Sequence, residues 1–164
     1  MAGGQRDGGG EGEKTIAVNR KARHDYFIDE RFEAGMVLLG AEVKSLREGK
    51  VNLRDSYARL TQAGELVLVG VHISPYGHAG REAPEPVRTR KLLMHRREID
   101  RLVGKIRERG FTLVPTRLYF KRGRAKVELG LARDKEQRDK RDDLRKAESK
   151  REIDRAMKAS RRND

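Results

Sequence analysis

The sequence predicts a mainly β fold: a small antiparallel barrel with inserted helices, flanked by a Gly-rich arm and a disordered basic C-terminal tail. Three observations carry this expectation. Residues Arg124–Ala132 alternate Ala125, Val127, Leu129 and Leu131 with Lys126, Glu128 and Gly130, the two-residue period of a strand with one buried and one wet face. Other strand-like runs follow one another across short turns, as in successive hairpins. The helical patterns sit between these runs without alternating regularly with them, so an all-β or α+β barrel is favoured over a parallel sheet.

Taken in chain order, residues 1–14 hold six Gly and almost no apolar side chain, too little to repay the entropy of ordering, and are expected to form a disordered arm. Strand character begins at Tyr26–Ile28 and returns at Met36–Leu39. Ala41–Glu48 is predicted as a short helix with Val43 and Leu46 inward and Gly49 as its stop. Asp55–Thr61 and Leu66–Ile73 read as a hairpin turning through Gln62–Glu65. A stronger helix follows, with His95, Ile99, Leu102, Val103 and Ile106 on one face and Gly110 as C-terminal cap. Phe111–Phe120 is rich in β-branched and aromatic residues, Pro115 within it signals an edge, a bulge or a break, and Lys121–Arg122–Gly123 is the turn into Arg124–Ala132.

The compact domain is therefore expected at residues 15–132, enough for one small core. Residues 133–164 carry 13 basic and nine acidic residues, with Leu144, Ile153 and Met157 as their only large apolar ones. At 100° per residue Leu144 falls opposite Ile153 and Met157, so no apolar stripe forms and the tail is expected to be disordered, or helical only on a partner. It lacks Gly and Pro after Asp134, which keeps that helix accessible.

Composition narrows the function classes. Charged residues make up 40% of the 164, hydrophobic ones 35%, and the formal net charge is +13. Such an excess points to a polyanionic partner, because Lys and Arg that neutralise phosphates release condensed counterions. There is no Cys, which excludes disulfides, thiolate catalysis and Cys-based zinc or iron–sulfur sites. No apolar run approaches the roughly 18 residues of a membrane span, so a soluble, cytoplasmic protein with no membrane partner is expected.

Enzyme signatures are missing as well. The Gly49–Lys50 and Gly104–Lys105 pairs are preceded five places before their Gly by Lys44 and Ile99, where a phosphate-binding loop needs Gly. His24, His72, His78 and His95 have no metal-site spacing, so no catalytic residue, metal ligand or cofactor is assigned. Arg109–Val114 begins like an aromatic RNA-stacking strand but places Leu113 and Thr116 where aromatics belong. Gly77–Gly80 matches a phosphate-clamping Gly-x-x-Gly yet lacks the flanking helices, and reads as a flexible loop.

Three basic clusters remain: Asn19–Tyr26, Lys44–Lys50 and Arg88–Lys91. Each alone would suit a solvated face. Together they border predicted elements, where a rigid backbone fixes phosphate contacts, and Asn19, His24 and Tyr26 add hydrogen-bonding and stacking groups. So few aromatics favour a folded RNA over a continuously stacked single strand. A basic RNA-modifying or RNA-cleaving enzyme using His24 and Glu33 as an acid–base pair, or a generic ribosomal or chaperone-like binder, are the alternatives.

These strings also resemble a known family. Asn19-Arg-Lys-Ala-Arg-His-Asp-Tyr26, Phe32-Glu-Ala-Gly35, Glu42-Val-Lys-Ser-Leu-Arg47, Arg90-Lys-Leu-Leu93 and Asp139-Lys-Arg141 are collinear with motifs of the SsrA-binding protein family, small protein B. The resemblance implies an oligonucleotide-binding-fold barrel. It also implies a non-enzymatic adaptor that binds the transfer-RNA-like domain of transfer-messenger RNA and delivers it, as a monomer, to the stalled bacterial ribosome and its RNA. Carried over by motif, Asn19, Arg20, Lys21, Arg23, His24, Tyr26 and Glu33 would face RNA, joined by Lys44, Arg47, Lys50, Arg90 and Lys91. Leu93 matches an apolar position. Arg138, Asp139, Lys140 and Arg141 would belong to a tail that reads the ribosome. Asp134 and Glu136 depart from the family's Gly and Lys, and Arg138 stands where several relatives carry His or an aromatic.

Overall fold

The computed structural model describes residues 12–77, 83–135 and 137–162. They fall into two compact units, one running through Arg133 and one starting at Asp134. In the first, strands β8 (Thr112–Lys121) and β9 (Arg124–Asp134) form a long antiparallel hairpin. Arg122 and Gly123 turn it with φ of 51° and 76°, the left-handed pair whose twist matches the flanking strands. Proline has no N–H for the ladder, and the register shifts between Pro115 and Arg117, making a bulge in mid-strand.

From this hairpin the sheet closes on itself. β8 meets β4 (Tyr57–Leu60), followed by β5 (Leu66–Val69), β7 (Arg90–Leu93), β2 (Tyr26–Met36) and β9, which returns to β8. β1 (Glu13–Val18) adds to β8 outside that ring, and β3 (Val51–Asn52) with β6 (His72–Ile73) forms a separate two-stranded sheet. Inside lie Leu66, Leu68, Leu92, Leu118, Val127 and Leu129, all essentially without solvent contact. Each buried Leu contributes about 1.5–3 kcal/mol. Exposed ion pairs contribute about 0–1 kcal/mol each, so the aliphatic interior and not the charged surface holds the ring together.

Three helices decorate the ring. α1 (Arg20–Asp25) packs Ala22 onto a second small cluster with Val114 and Ala132, on the outer face of the β8–β9 hairpin. α2 (Gly40–Arg47) sends Leu46 into the core and is followed by Gly49, whose φ is 72°. α3 (Arg96–Arg109) buries Leu102 and ends at Gly110, a left-handed cap whose N–H donates to the Ile106 carbonyl. In the second unit, α4 (Gln137–Arg162) is a 26-residue helix that leaves Leu144, Ile153 and Met157 exposed. Among the described residues no helix is long and apolar enough to cross a membrane.

Several expectations need correcting. Strand β1 starts at Glu13, inside the segment expected to be a disordered arm, because Glu13 pairs with Arg117 at 3.1 Å and joins the β8 ladder. Tyr26–Ile28 and Met36–Leu39 are not separate strands; one eleven-residue strand spans the gap and stops at Met36. Its charged middle is neutralised in place, Asp29 by Arg133 and Glu30 by Arg101 and Lys105. The run Leu66–Ile73 breaks at Gly70 (φ 84°), where a Cβ would lie 3.3 Å from the Asp55 carbonyl oxygen. In α2 the charged Glu42, not Val43, turns fully inward. The Gly77–Gly80 loop lies largely outside the described residues.

Candidate nucleic-acid interface

Asn19 creates the first surface. Its Oδ1 accepts the Ala22 N–H at 3.1 Å, which caps α1, while its Nδ2 donates to the carbonyls of Pro115 at 2.9 Å and Leu53 at 3.3 Å. One buried amide thus ties α1 to the bulge of β8 and to the turn after β3. With Ala22 inward, Arg20, Lys21 and His24 are left outward. Lys21 Nζ meets Asp55 Oδ1 at 2.5 Å, and this hydrogen bond holds the Asp55 carboxyl below its ordinary value. His24 Nδ1 lies 3.0 Å from Asp25 Oδ1.

Two shallow clefts flank the helix. One, of about 280 Å³, lies between α1 and the start of β4 and includes Lys21, Tyr26, Asp55 and Tyr57. The other, of about 420 Å³, includes Arg20, Lys21, His24, Asn52 and Arg54. Arg54 was not singled out by sequence reading. It lies two residues after β3, and β3 in turn follows Lys50, so a short stretch of chain joins Arg54 to the second basic cluster. In the second cluster Lys44 and Arg47 are exposed, Lys44 Nζ stands 5.4 Å from the centre of the Tyr76 ring, and Lys50 pairs with Glu48 at 2.9 Å.

The third cluster divides between interior and surface. Arg90, expected to face RNA, has no solvent exposure. Its Nε donates to Glu42 Oε2 at 2.7 Å, and its two terminal nitrogens donate to the carbonyls of Val71, Arg88 and Pro86. It is a core arginine whose hydrogen bonds are spent inside the fold. Arg88 donates to the other Glu42 oxygen at 2.5 Å. Burial alone would raise the Glu42 carboxyl, but hydrogen bonds from Arg88, the Leu39 N–H and Arg90 outweigh it and hold the group below the usual range. Burial also lowers the Arg90 guanidinium, an effect that Glu42 opposes. Lys91 points outward to Glu65 at 3.3 Å. Asn19, also expected at the surface, is buried and acts through the helix it caps.

Glu33 belongs to a different cleft. It lines a cavity of about 490 Å³ with Gly35, Leu93, Met94, His95, Glu98 and Lys126. Lys121 stands 3.2 Å and Lys126 4.0 Å from its carboxylate. Burial works to raise Glu33, but the Tyr119 hydroxyl and Lys121 donate to it and hold it below its ordinary value. Tyr119, buried against the Arg117 guanidinium 4.1 Å from its ring centre, is pushed well above the usual phenol range by burial first and by Glu33 second. Among the described residues Glu33 and His24 share no partner, and they line different clefts, which speaks against an acid–base pair. Lys126 was legible as a wet-face residue of its strand but not as a neighbour of Glu33 and Leu93, since only the register of β2 against β7, Gly35 opposite Leu93, brings them together.

Arg138, Asp139, Lys140 and Arg141 lie in the first turns of α4, with side chains outside the described part, as is Glu136. Among the described residues no group of His, Cys, Asp or Glu could hold a metal ion.

Fold and surface together define a class: a mainly antiparallel β-barrel protein with inserted helices and outward-facing Arg, Lys and His side chains on a capped surface helix, suited to a polyanion. Comparison with known proteins makes the class specific. The family model described as SmpB protein matches residues 16–159, and the chain belongs to that family. It is 61% identical over 148 residues to the SsrA-binding protein of Desulforudis audaxviator, covering 90% of this chain and 96% of the relative. It is 58% identical over 147 residues to that of Geobacter sulfurreducens (90% and 95%) and 56% over 149 residues to that of Geobacillus thermodenitrificans (91% and 95%). A chain in a solved structure described as "tmRNA-SmpB: a journey to the center of the bacterial ribosome" is 52% identical, with a TM-score of 0.62 over 74% of this chain and 85% of that one.

Proposed function

We propose that this protein is a non-enzymatic adaptor that binds transfer-messenger RNA, through its transfer-RNA-like domain, and brings it to stalled ribosomes in the bacterial cytoplasm for trans-translation. The observation that carries the reading is membership of a family whose 56–61% identical relatives are named SsrA-binding proteins. The barrel is read as an oligonucleotide-binding fold acting as a monomer. Its RNA face is formed by Arg20, Lys21, Arg23, His24 and Tyr26 on and after α1, extended by Lys44, Arg47 and Lys50, with Lys91 at a further edge. Asn19 holds that face in place from beneath. Glu33 supplies a carboxylate, ordered by Tyr119 and Lys121, that accepts hydrogen bonds from RNA amino or hydroxyl groups.

The three-part organisation follows the same logic: a Gly-rich arm ahead of β1, an RNA-binding domain from β1 through β9 and a charged tail that holds α4. The tail is read as disordered in the free protein and helical in an RNA-lined channel, where Arg138, Asp139, Lys140 and Arg141 would lead. Exposed Leu144, Ile153 and Met157 support this, since a helix that buries nothing gains little from its own folding. The test is a titration of labelled transfer-messenger RNA against an unrelated duplex of equal length at moderate salt. Selective binding of the first is expected; equal affinity for both would reduce the protein to a generic polyanion binder.

A further inference from the structure

We propose that the cavity beside Glu33 takes one unpaired guanine base of the bound RNA, read along its base-pairing edge by Glu33 and Lys126; this deepens the RNA-adaptor reading and rests on it. The cavity, of about 490 Å³, is of the size that small ligands fill. Its charged lining disfavours a phosphate. Two carboxylates, Glu33 and Glu98, stand against one ammonium, Lys126, so the phosphates of a strand stay outside and a neutral base enters. Surface for the faces of that base is present. Leu93 is more than half exposed, Met94 is half-buried, and the exposed His95 offers an imidazole of the kind on which unpaired bases stack. Space comes from Gly35, which lies opposite Leu93 in the register of β2 against β7. A Cβ there would sit 3.5 Å from Leu93 Cβ and 3.6 Å from Lys126 Nζ, so any side chain at this position would take up the floor between them.

The polar groups select the base. Lys121 stands 3.2 Å from Glu33 Oε2 and the Tyr119 hydroxyl donates to the same carboxylate, yet neither residue lines the cavity. Burial opposes ionisation of Glu33, but these two hydrogen bonds outweigh it, so at neutral pH the group is an acceptor only. An ionised carboxylate has about four acceptor sites, and two of them remain for a ligand. Lys126 Nζ stands 4.0 Å from Glu33 Oε1 and lines the cavity with it. One donor therefore sits beside two acceptor sites. Guanine carries the complementary edge, an O6 acceptor beside the N1–H and N2–H donors. Adenine and cytosine would turn a ring-nitrogen acceptor toward the carboxylate, and uracil a second carbonyl oxygen. Each of these leaves a desolvated acceptor facing another acceptor.

The test follows the Leu93 methyl and Gly35 amide resonances of the full chain during titration with the RNA pentamer UUGUU. Comparison pentamers carry adenine, uracil or hypoxanthine at the centre, the last being guanine without its 2-amino group. Guanosine 5′-monophosphate serves as the free-nucleotide comparison. UUGUU should shift both resonances saturably and bind at least about fivefold tighter than the other pentamers, the loss that one good base-edge contact carries, and tighter than the free nucleotide. Glu33→Gln, which exchanges an acceptor for a donor on an exposed side chain, should erase the preference for guanine over adenine. Resonances that do not move, equal affinity for guanine and hypoxanthine, a Glu33→Gln chain that keeps the preference, or a free nucleotide that binds as tightly as UUGUU would each overturn the proposal. The same protein is titrated with transfer-messenger RNA and an unrelated duplex. Equal affinity for those two would overturn the adaptor reading and the guanine site with it, whereas selection of transfer-messenger RNA without a guanine preference overturns the guanine site alone.

Discussion

Glu42 holds two arginines at once, one of them without solvent contact. Removing the carboxylate leaves Arg90 charged and uncompensated in the core, the costly half of a buried pair, so Glu42→Ala should lower stability by about 3–5 kcal/mol in urea unfolding. The pH dependence follows from the direction of its shift. Glu42 sits below its ordinary value in the folded chain, so its contribution is fully present above about pH 4.3, the unfolded carboxyl value, and is lost as pH falls through the lower folded value. Comparing unfolding of the parent and Glu42→Gln between neutral pH and pH 3 should show a smaller loss of stability in the variant; equal losses would place the acid-sensitive group elsewhere. Asn19 works by satisfying backbone. Asn19→Ala should cost about 1–2 kcal/mol through loss of the α1 cap, with two buried carbonyls also left short of a donor. RNA affinity should fall with it, although the side chain touches no solvent.

At the scale of elements, α1 is positioned by packing between strands. A Cβ on Gly130 would stand 2.9 Å from Ile28 Cγ2 and 3.0 Å from Thr116 Cγ2, so β2, β8 and β9 approach there only because β9 has no side chain at that point. Gly130→Ala should therefore destabilise by about 1–3 kcal/mol, measured by thermal unfolding, and disturb the α1 surface that shares this cluster. The β8–β9 hairpin, the Gln62–Glu65 turn and α3 were all legible in the sequence, because each is set by local periodicity and turn chemistry. Strand β2 was not. Its middle, Asp29–Glu33, reads as solvent-loving until Arg133, Arg101, Lys105 and Lys121 arrive from distant parts of the chain. α1 was missed for the related reason that six residues rich in Arg and Lys have no apolar stripe, and only the cap of Asn19 and the outer cluster beneath Ala22 make them a helix. The site was legible as three basic strings. That Arg90 belongs to the core depended on Glu42 turning inward from a helix that Val43 was expected to anchor.

For the whole molecule, we propose that RNA recognition belongs to the barrel and ribosome reading to the tail. Ending the chain before Asp139 should leave affinity for transfer-messenger RNA within about twofold, since the barrel residues proposed to meet phosphate are untouched, and abolish peptide tagging on stalled ribosomes in a reconstituted translation assay. Loss of RNA affinity in step with tagging would show that the two jobs are not separable. The central claim is that the face built on α1 grips phosphate. It is tested most directly by the salt dependence of transfer-messenger RNA binding, measured for the parent chain and for Arg20→Ala, Lys21→Ala and Arg23→Ala combined. Each lost phosphate contact should reduce the steepness of the logarithmic salt slope by roughly 0.7–0.9, so the triple variant should bind more weakly with a slope shallower by about 2–3. An unchanged slope at unchanged affinity would make the α1 face ordinary solvated surface and contradict the account.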